Sequence, residues 1–206
     1  MVAADRKLMS ASGFMRVIKK EGLRIHEMTK EERLRLEALD TALRSESVGE
    51  YIRSIVVRVR DQLARKKDTL MSWEPFPLNV LATTLPPEIR SAWVFVLRAG
   101  ADTGAERHPN SHQRMMSFEG SGDMQTEERG QWTSNVLVGD HEAPLERRWI
   151  SIPQNVWHHP VVGSEADWTV VSFHTVPAEE LIEEKPDDSS HDGTKQMKYL
   201  QKQKGS

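Results

Sequence analysis

Cysteine is absent from the 206-residue sequence, which excludes disulfide frameworks, thiolate metal sites and cysteine nucleophiles. Long apolar runs are absent as well. None approaches the ~18 residues of a transmembrane helix, so we expect no membrane span. Residues 1–22 contain no continuous apolar core of the kind that a secretory signal needs. Since a chain without cysteine also suits a reducing compartment, we expect a cytoplasmic protein.

Excess positive charge is lacking too. The formal net charge is −3, which is not typical of a dedicated nucleic-acid binder, so we expect no nucleic-acid partner. Charged residues make up 29 % of the chain and hydrophobic residues 37 %. This polar composition predicts disordered ends around one ordinary domain.

The first third of the chain has no proline, and its apolar residues recur at helical spacing. Thr29-Lys30-Glu31-Glu32 has the pattern of a capping box and predicts a helix through about Leu43. A second helix is predicted over residues 48–64, where an apolar stripe accompanies several arginines. We favour packing of this basic helix on the domain that follows, and a membrane surface or a partner protein is the alternative.

The sequence pattern changes at Trp73, where proline-containing connections are followed by short strand-like runs. These runs span residues 92–97, 114–118, 134–138, 148–152 and 168–173, with a further candidate at 161–162. Short strands without long helices between them are typical of an antiparallel sandwich or barrel. One or two helical turns are predicted over residues 177–184. The polar end of the chain lacks any apolar periodicity, which is typical of a disordered tail. The predicted parts are a mobile or helical arm (1–28), a helical extension (29–72), a β-barrel (73–183) and a disordered tail (184–206).

Most of the histidines fall in the predicted barrel. Six of the eight lie there: His108, His112, His141, His158, His159 and His174. Without cysteine, a transition-metal site must combine imidazole with carboxylate or amide oxygen, a set that suits Fe(II), Mn(II), Ni(II), Cu(II) or Zn(II). Glu106 and His108 are two residues apart and therefore face the same side of a strand.

The spacing of these residues matches a known motif. Gly100, Glu106, His108, Gln113 and Gly120 reproduce the spacing G-x5-H-x-H-x3,4-E-x6-G, the first motif of the cupins. Over about residues 73–178 the sequence therefore resembles the cupins, small jelly-roll β-barrels that often hold one metal ion inside.

The sequence also departs from the cupin pattern. Glu106 stands where the family has its first histidine, and Gln113 stands where it has glutamate. The second motif, G-x5-P-x-G-x2-H-x3-N, is met by Pro153 and His158. Its remaining positions are occupied by Arg147, Asn155 and Val162. The altered donor set leaves open whether the metal has been lost.

The resemblance implies a mainly β fold, a cupin-like antiparallel jelly-roll barrel with an α-helical N-terminal extension. It also implies one divalent transition metal (Fe, Mn, Ni, Cu or Zn). The ligand positions it implies are Glu106, His108, Gln113 and His158, with His112 as a reserve ligand in a second register. Glu106 and His158 are the candidate catalytic residues. The candidate substrate-binding residues are Arg98, Arg114, Trp157 and His174.

We expect a mononuclear metal-dependent cupin enzyme, an oxidoreductase of the dioxygenase type that acts on a small organic substrate inside the barrel. One alternative is a non-catalytic cupin that binds a small molecule without a metal. Another is a metal-free isomerase or lyase, in which Glu106 acts as general base beside a histidine. Because cupins commonly pair through barrel edges, we also expect a homodimer.

Overall fold

The computed structural model of the protein describes residues 28–81, 85–187, 189 and 193–200. It begins with two helices, α1 (Lys30–Leu43) and α2 (Glu46–Arg65). The Thr29 hydroxyl accepts a hydrogen bond from the Glu32 N–H, so it caps α1 as the sequence pattern predicts. All of the predicted arm except Met28 lies outside the described residues.

The apolar stripe of α2 packs on the barrel, as we favoured from the sequence. Ile52, Ile55 and Val59 are fully buried, and they share one apolar cluster with Val94, Val96 and other residues on the outer face of the larger sheet. Burying such a stripe is the main stabilisation available to an amphipathic helix. In the described part of the chain, no helix has the length and apolar character needed to cross a membrane.

Eleven strands make up the rest of the described chain, with a 3-10 turn at Leu78–Val80 and a short helix α3 (Leu145–Arg148). The strands are β1 (Met71–Pro75), β2 (Ser91–Leu97), β3 (Gln113–Glu119), β4 (Ser121–Glu128), β5 (Gln131–Thr133), β6 (Val136–Val138), β7 (Trp149–Ile152), β8 (His158–Val161), β9 (Trp168–His174), β10 (Ile182–Pro186) and β11 (Thr194–Lys198).

The strands form two antiparallel sheets and a hairpin. The larger sheet has the order β1-β2-β9-β3-β7, and the smaller has the order β5-β4-β6 with β8 also paired to β4. Side chains from both sheets meet in one interior cluster, which includes Trp93, Met115 and Trp168 from the larger sheet and Met124 and Leu137 from the smaller. The predicted fold class, a mainly β jelly-roll barrel with a helical N-terminal part, is confirmed.

Strand β4 was not predicted from the sequence. Its polar residues alternate with inward-facing residues that give too weak an apolar signal to mark a strand. Gly122 is one of these inward residues, and a Cβ on it would lie 2.2 Å from an atom of the Trp168 indole. The glycine therefore permits close approach of the two sheets and does more than form a turn. Strand β1 was likewise interpreted as a connection because of its proline, which sits at a sheet edge.

The predicted disordered tail is wrong for the described residues after position 184. Strands β10 and β11 form an antiparallel hairpin there, and residues 182–184 are extended instead of helical. Backbone bonds between Arg107 and Glu184 fasten this hairpin to the barrel. Its stability comes from these long-range contacts, which leave no periodic apolar signal in the sequence. The end of the predicted tail, residues 201–206, lies outside the described residues.

Candidate metal centre

A glutamate and two histidines meet inside the barrel. Each of Glu106, His108 and His158 offers one ligand atom, and these atoms all lie within 4.8 Å of one another. The Nε2 atom of His158 is 3.7 Å from the Glu106 Oε1 atom, and the imidazole centroids of the two histidines are 5.3 Å apart. We call these three residues the inner cluster.

Backbone pairing brings the inner cluster together. The N–H of Glu106 donates to the His158 carbonyl at 2.9 Å, and the N–H of His158 donates to the Glu106 carbonyl at 2.8 Å. His108 lies two residues after Glu106, so the two side chains face the same way. The spacing in the sequence thus becomes a convergent arrangement.

Both imidazoles are oriented by backbone carbonyls. The Nδ1 atom of His108 is 3.0 Å from the Ile182 carbonyl oxygen, and that of His158 is 3.1 Å from the Val156 carbonyl oxygen. Because a carbonyl only accepts, each Nδ1 must carry the donated proton, and a neutral ring then keeps its lone pair on Nε2. This is the tautomer in which histidine binds a metal through Nε2.

Two inner-cluster atoms lack hydrogen-bond partners among the described residues. They are the buried Oε2 of Glu106 and the buried Nε2 of His158. Buried polar atoms without partners are rare in folded proteins because each costs about 1–3 kcal/mol. Their presence at the point where three ligand-type side chains converge indicates a binding site.

Gln113 and His174 extend the cluster along the interior face of the larger sheet. The Gln113 Nε2 donates to Ser172 Oγ at 2.9 Å, and that oxygen is 3.2 Å from His174 Nε2. The His174 ring lies 5.0 Å from the His108 ring. Gln113 Oε1 is buried without a hydrogen-bond partner among the described residues. Gln113 and His174 are therefore linked through Ser172 beside the His108 ring, and their ligand and substrate roles stay predictions.

The hairpin contributes residues that the sequence analysis missed. The Lys185 Nζ lies 3.7 Å from Glu106 Oε2 and 3.9 Å from an oxygen of the fully buried Glu183. Tyr199 follows β11, packs against Trp73 with ring centroids 5.1 Å apart, and lies 6.4 Å from the His108 ring. No sequence signal marks these residues, since they stand in a polar run.

Burial and charge oppose one another in the inner cluster. Burial alone raises the pKa of the Glu106 carboxyl, but the positive charges that His158 and His108 carry when protonated outweigh it, with a further contribution from Lys185. The pKa therefore lies well below its usual range. Burial lowers the pKa of His174 well below its ordinary value, with help from the two cluster histidines. Burial raises the pKa of Tyr199 well above its usual range.

Arg114 and His112, two residues predicted for the site, lie on the other side of the larger sheet. Arg114 follows the inward-facing Gln113 and so points outward, where its guanidinium binds both oxygens of Glu32 at 2.7 and 2.8 Å. The His112 Nε2 is 2.6 Å from Ser151 Oγ, beside the same glutamate. The structure therefore supports neither Arg114 as an interior substrate contact nor His112 as a reserve ligand.

Arg98 and Trp157 also lie apart from the inner cluster. The Arg98 guanidinium donates to the carbonyl oxygens of Leu63 at 2.5 Å and Thr69 at 2.8 Å, so it caps the end of α2. Trp157 is half-buried under the guanidinium of Arg107, 4.6 Å from the ring centroid. Arg98 is corrected to a structural residue, and a substrate role for Trp157 stays a prediction.

Three solved structures are among those similar to this chain. The coconut allergen cocosin is 21 % identical over 47 % of this chain and 24 % of its own, with a TM-score of 0.40. An oxalate oxidase in complex with glycolate is 13 % identical over 52 % of both chains, with a TM-score of 0.40. The capsular polysaccharide assembling protein CapF from Staphylococcus aureus is 14 % identical over 62 % of this chain and 32 % of its own, with a TM-score of 0.41.

These comparisons carry no argument about activity, because the TM-scores are low and this chain spans only a quarter to a half of the proteins named. No protein-family profile and no curated protein matches the chain. The chain's own geometry decides the fold class: Glu106, His108, Gln113 and His158 all reach the interior of a two-sheet barrel. The barrel is cupin-like. Its departures from the cupin motifs, at the ligand positions Glu106 and Gln113 and at Arg147, Asn155 and Val162, leave this architecture intact.

Proposed function

We propose that this cupin-like barrel holds one divalent transition metal ion between Glu106, His108 and His158. The observation that carries the proposal is the convergence of one ligand atom each from Glu106, His108 and His158 within 4.8 Å, with both imidazole rings oriented by bonds from Nδ1 to backbone carbonyls. The unpartnered Glu106 Oε2 and His158 Nε2 fit the same role. These residues therefore fit a metal ion by donor type, burial and ring orientation.

We further propose that the protein is an oxidoreductase of the dioxygenase type that acts on a small organic substrate. Two histidines and one carboxylate form the ligand set of non-haem Fe(II) oxygenases, which leaves coordination positions open. When bound, the metal ion supplies Lewis-acid or redox chemistry at those positions. Gln113, with its free Oε1, is the candidate fourth ligand.

The remaining interior residues would orient the substrate and exclude water. His174 is held neutral by its burial and lies beside His108, where it can exchange hydrogen bonds with a small polar group. Tyr199 and Trp73 form an apolar wall on the hairpin side. Lys185 balances the charge of Glu106 from the same side. Because these residues lie inside the barrel, each of these roles requires a substrate small enough to enter it.

Elemental analysis tests this proposal most directly. Protein purified without chelator should contain near-stoichiometric iron, manganese, nickel, copper or zinc, and His108→Ala and His158→Ala should each abolish it. His141→Ala is the matched control, because His141 lies in an exposed turn and should leave the metal content unchanged. Failure of the wild-type protein to bind any of these ions after reconstitution would overturn the metalloenzyme proposal and favour a metal-free binding barrel.

The homodimer and the cytoplasmic location stay predictions. Strands β1 and β7 are the edges of the larger sheet, and pairing through such an edge is a common way to protect it. Light scattering at micromolar concentration should give twice the 23.5 kDa mass of one chain. A single 23.5 kDa species would rule out the homodimer.

A further inference from the structure

A cavity of about 270 Å³ opens at the side of the barrel, outside the inner cluster. Residues of β4, β5 and β7 and the beginning of α1 line it, and none of the three inner-cluster residues is among them. Four residues form its apolar wall: Met28, Ile150, Pro153 and Val156. We call this space the side cavity.

The side cavity adjoins the inner cluster through one turn. The Val156 carbonyl, in that turn, lies 3.1 Å from His158 Nδ1, and the neighbouring Asn155 N–H donates to the His108 carbonyl at 3.1 Å. Thr126, which lines the cavity, pairs with His158 between β4 and β8. The cavity is therefore a separate space next to the candidate metal position, and backbone bonds to both histidines fix its wall.

Three threonine hydroxyls give the side cavity hydrogen-bond donors. Thr29 Oγ1 accepts from the Glu32 N–H at 3.1 Å, and Thr126 Oγ1 accepts from the Asn135 amide nitrogen at 3.1 Å, so each hydroxyl still has its own proton to donate. Thr133 supplies the third hydroxyl of the lining. In the part of the chain that the structure describes, none of the three donates to an acceptor. An occupant without an acceptor would leave these protons unused.

The Asn135 side chain adds an acceptor to the lining. It is 7 % exposed, and its amide nitrogen donates to the Met124 carbonyl at 2.8 Å and to the Thr133 carbonyl at 3.2 Å. Because a carbonyl only accepts, these two bonds fix the orientation of the amide. No group among the described residues donates to the other end of the amide, Asn135 Oδ1. The side cavity therefore offers donors and an acceptor together.

The three carboxylates of the lining already have partners. Glu32 is held by the arginine fork described above, and the Glu128 carboxylate lies 4.0 Å from the Arg129 guanidinium. Glu127 Oε1 accepts a hydrogen bond from the Gly130 N–H. No lysine or arginine is among the described lining residues. The lining thus has no cation to hold an anion, and its carboxylates do not require a bound cation.

We propose that the side cavity binds a small uncharged compound that carries a hydroxyl group on a short apolar body. A hydroxyl both donates and accepts, so it can bond to a threonine hydroxyl and to Asn135 Oδ1 at the same time. An ammonium group has no acceptor for the threonine protons, and a carboxylate has no donor for Asn135. The apolar body would pack against Ile150 and Val156, and the volume admits on the order of ten non-hydrogen atoms. The proposal does not depend on a metal ion in the barrel.

Titration of the full chain, followed by the chemical shifts of its backbone amides in NMR spectra, tests the proposal. Benzyl alcohol is the probe, toluene lacks its hydroxyl, and benzylamine and benzoate carry a charge in its place. A chelator in the buffer keeps metal ions from binding the probes. We expect saturable binding of benzyl alcohol and about tenfold weaker binding of each of the other three, the effect of losing about one hydrogen bond. Absence of benzyl alcohol binding, or equally tight binding of any other probe, would overturn the proposal.

Variants locate the site. Thr126→Val combined with Thr133→Val removes two hydroxyls at little change in volume and should weaken benzyl alcohol about tenfold. The Asn135 amide keeps its two carbonyl acceptors in this double variant. Thr41→Val, at an exposed position of α1, is the matched control and should change nothing. His108→Ala should also leave the binding intact, because His108 belongs to the inner cluster. Unchanged affinity in the double variant would refute the site, and loss of binding in His108→Ala would place the alcohol in the barrel interior instead.

Discussion

Two buried polar clusters lie on opposite faces of the larger sheet and differ in how their carboxylates are satisfied. The outer cluster (Glu32, Asp40, Arg114 and Arg148) lies between α1 and the sheet. Both oxygens of Glu32 and both oxygens of Asp40 accept hydrogen bonds from an arginine fork. The inner cluster instead leaves one carboxylate oxygen of Glu106 and one imidazole nitrogen of His158 without a hydrogen-bond partner among the described residues.

This difference distinguishes a cluster that stabilises the fold from a cluster that can bind a ligand. In the outer cluster the arginine forks and the Trp149 indole, 2.8 Å from Asp40 Oδ1, use the acceptor capacity of the carboxylates. No further ion is needed there. In the inner cluster the geometry is just as convergent, but the acceptors are left over. At the inner cluster the unused acceptors coincide with three converging ligand-type side chains, and this coincidence indicates a site.

Breaking the outer cluster should have the largest effect on stability. Arg148→Met leaves the buried Asp40 carboxylate without its fork and should lower the free energy of unfolding by about 3–5 kcal/mol. Chemical denaturation measures the change. Arg147→Met, one residue away and exposed, should change it by less than about 0.5 kcal/mol. Equal losses in the two variants would contradict a structural role for the outer cluster.

Breaking the inner cluster should affect binding more than stability. Glu106→Gln removes a carboxylate whose charged neighbours lie 3.7 Å away and which has no arginine fork, so the free energy of unfolding should fall by less than the about 3–5 kcal/mol expected for Arg148→Met. Affinity for a divalent metal ion should fall by more than the ~10–100-fold that loss of an outer-shell partner costs. Denaturation and metal titration of one protein batch give both numbers. A large loss of stability with unchanged metal affinity would reverse the comparison.

Lys185 provides a finer test of the same contrast. Its ammonium lies 3.7 Å from Glu106 Oε2 and would repel a cation bound in the inner cluster. Lys185→Met should therefore raise metal affinity about tenfold. The control is Lys195→Met, at an exposed position of the same hairpin. If both variants bind metal like the wild type, Lys185 does not face the metal position.

The smallest expected effect is a change in pH dependence. Burial alone raises the pKa of Asp40, but hydrogen bonds from Arg148 and Trp149 outweigh it and leave the pKa lowered in the folded state. A lowered pKa stabilises the fold above the unfolded pKa of about 4, and this stability is lost as the pH falls below it. Stability should thus decline from about pH 5 to pH 3, and less steeply in Asp40→Asn. Denaturation curves of the two proteins across this pH range measure the difference. An equal decline in both would contradict the stabilising role of the Asp40 carboxylate.

The inner cluster could be predicted from the sequence because the spacing of its residues is enough to indicate that they converge. Glu106 and His108 share a face through the period of two, and the distances to Gln113 and His158 match a known motif. The same parity also carried a signal that the sequence analysis did not use. If Gln113 faces inward, Arg114 must face outward. This places Arg114 on the side of the sheet where it binds Glu32.

The hairpin could not be predicted, because its order depends on partners far away in the chain. Lys185 reaches Glu106 across 79 positions of sequence, and Tyr199 packs on Trp73 and Trp93. Locally the segment is polar. It contains an Asp192-Gly193 turn signal, but no alternating apolar residues flank it to mark two strands of a hairpin. Long-range burial of this kind lies outside what local propensity records.

The attachment of the β10–β11 hairpin also determines how fast the barrel interior exchanges with solvent. The hairpin is held to the barrel by the Arg107–Glu184 backbone pair, by the bond between His108 and the Ile182 carbonyl, and by side-chain contacts such as Lys185–Glu106. Strand β9 instead pairs along its length with both β2 and β3, so the hairpin has fewer backbone bonds to its neighbours and should open locally before the whole domain unfolds. Amide hydrogens of β10 should therefore exchange faster than those of β9. The rate of this opening, and not the concentration of solute outside, would then limit entry to the interior.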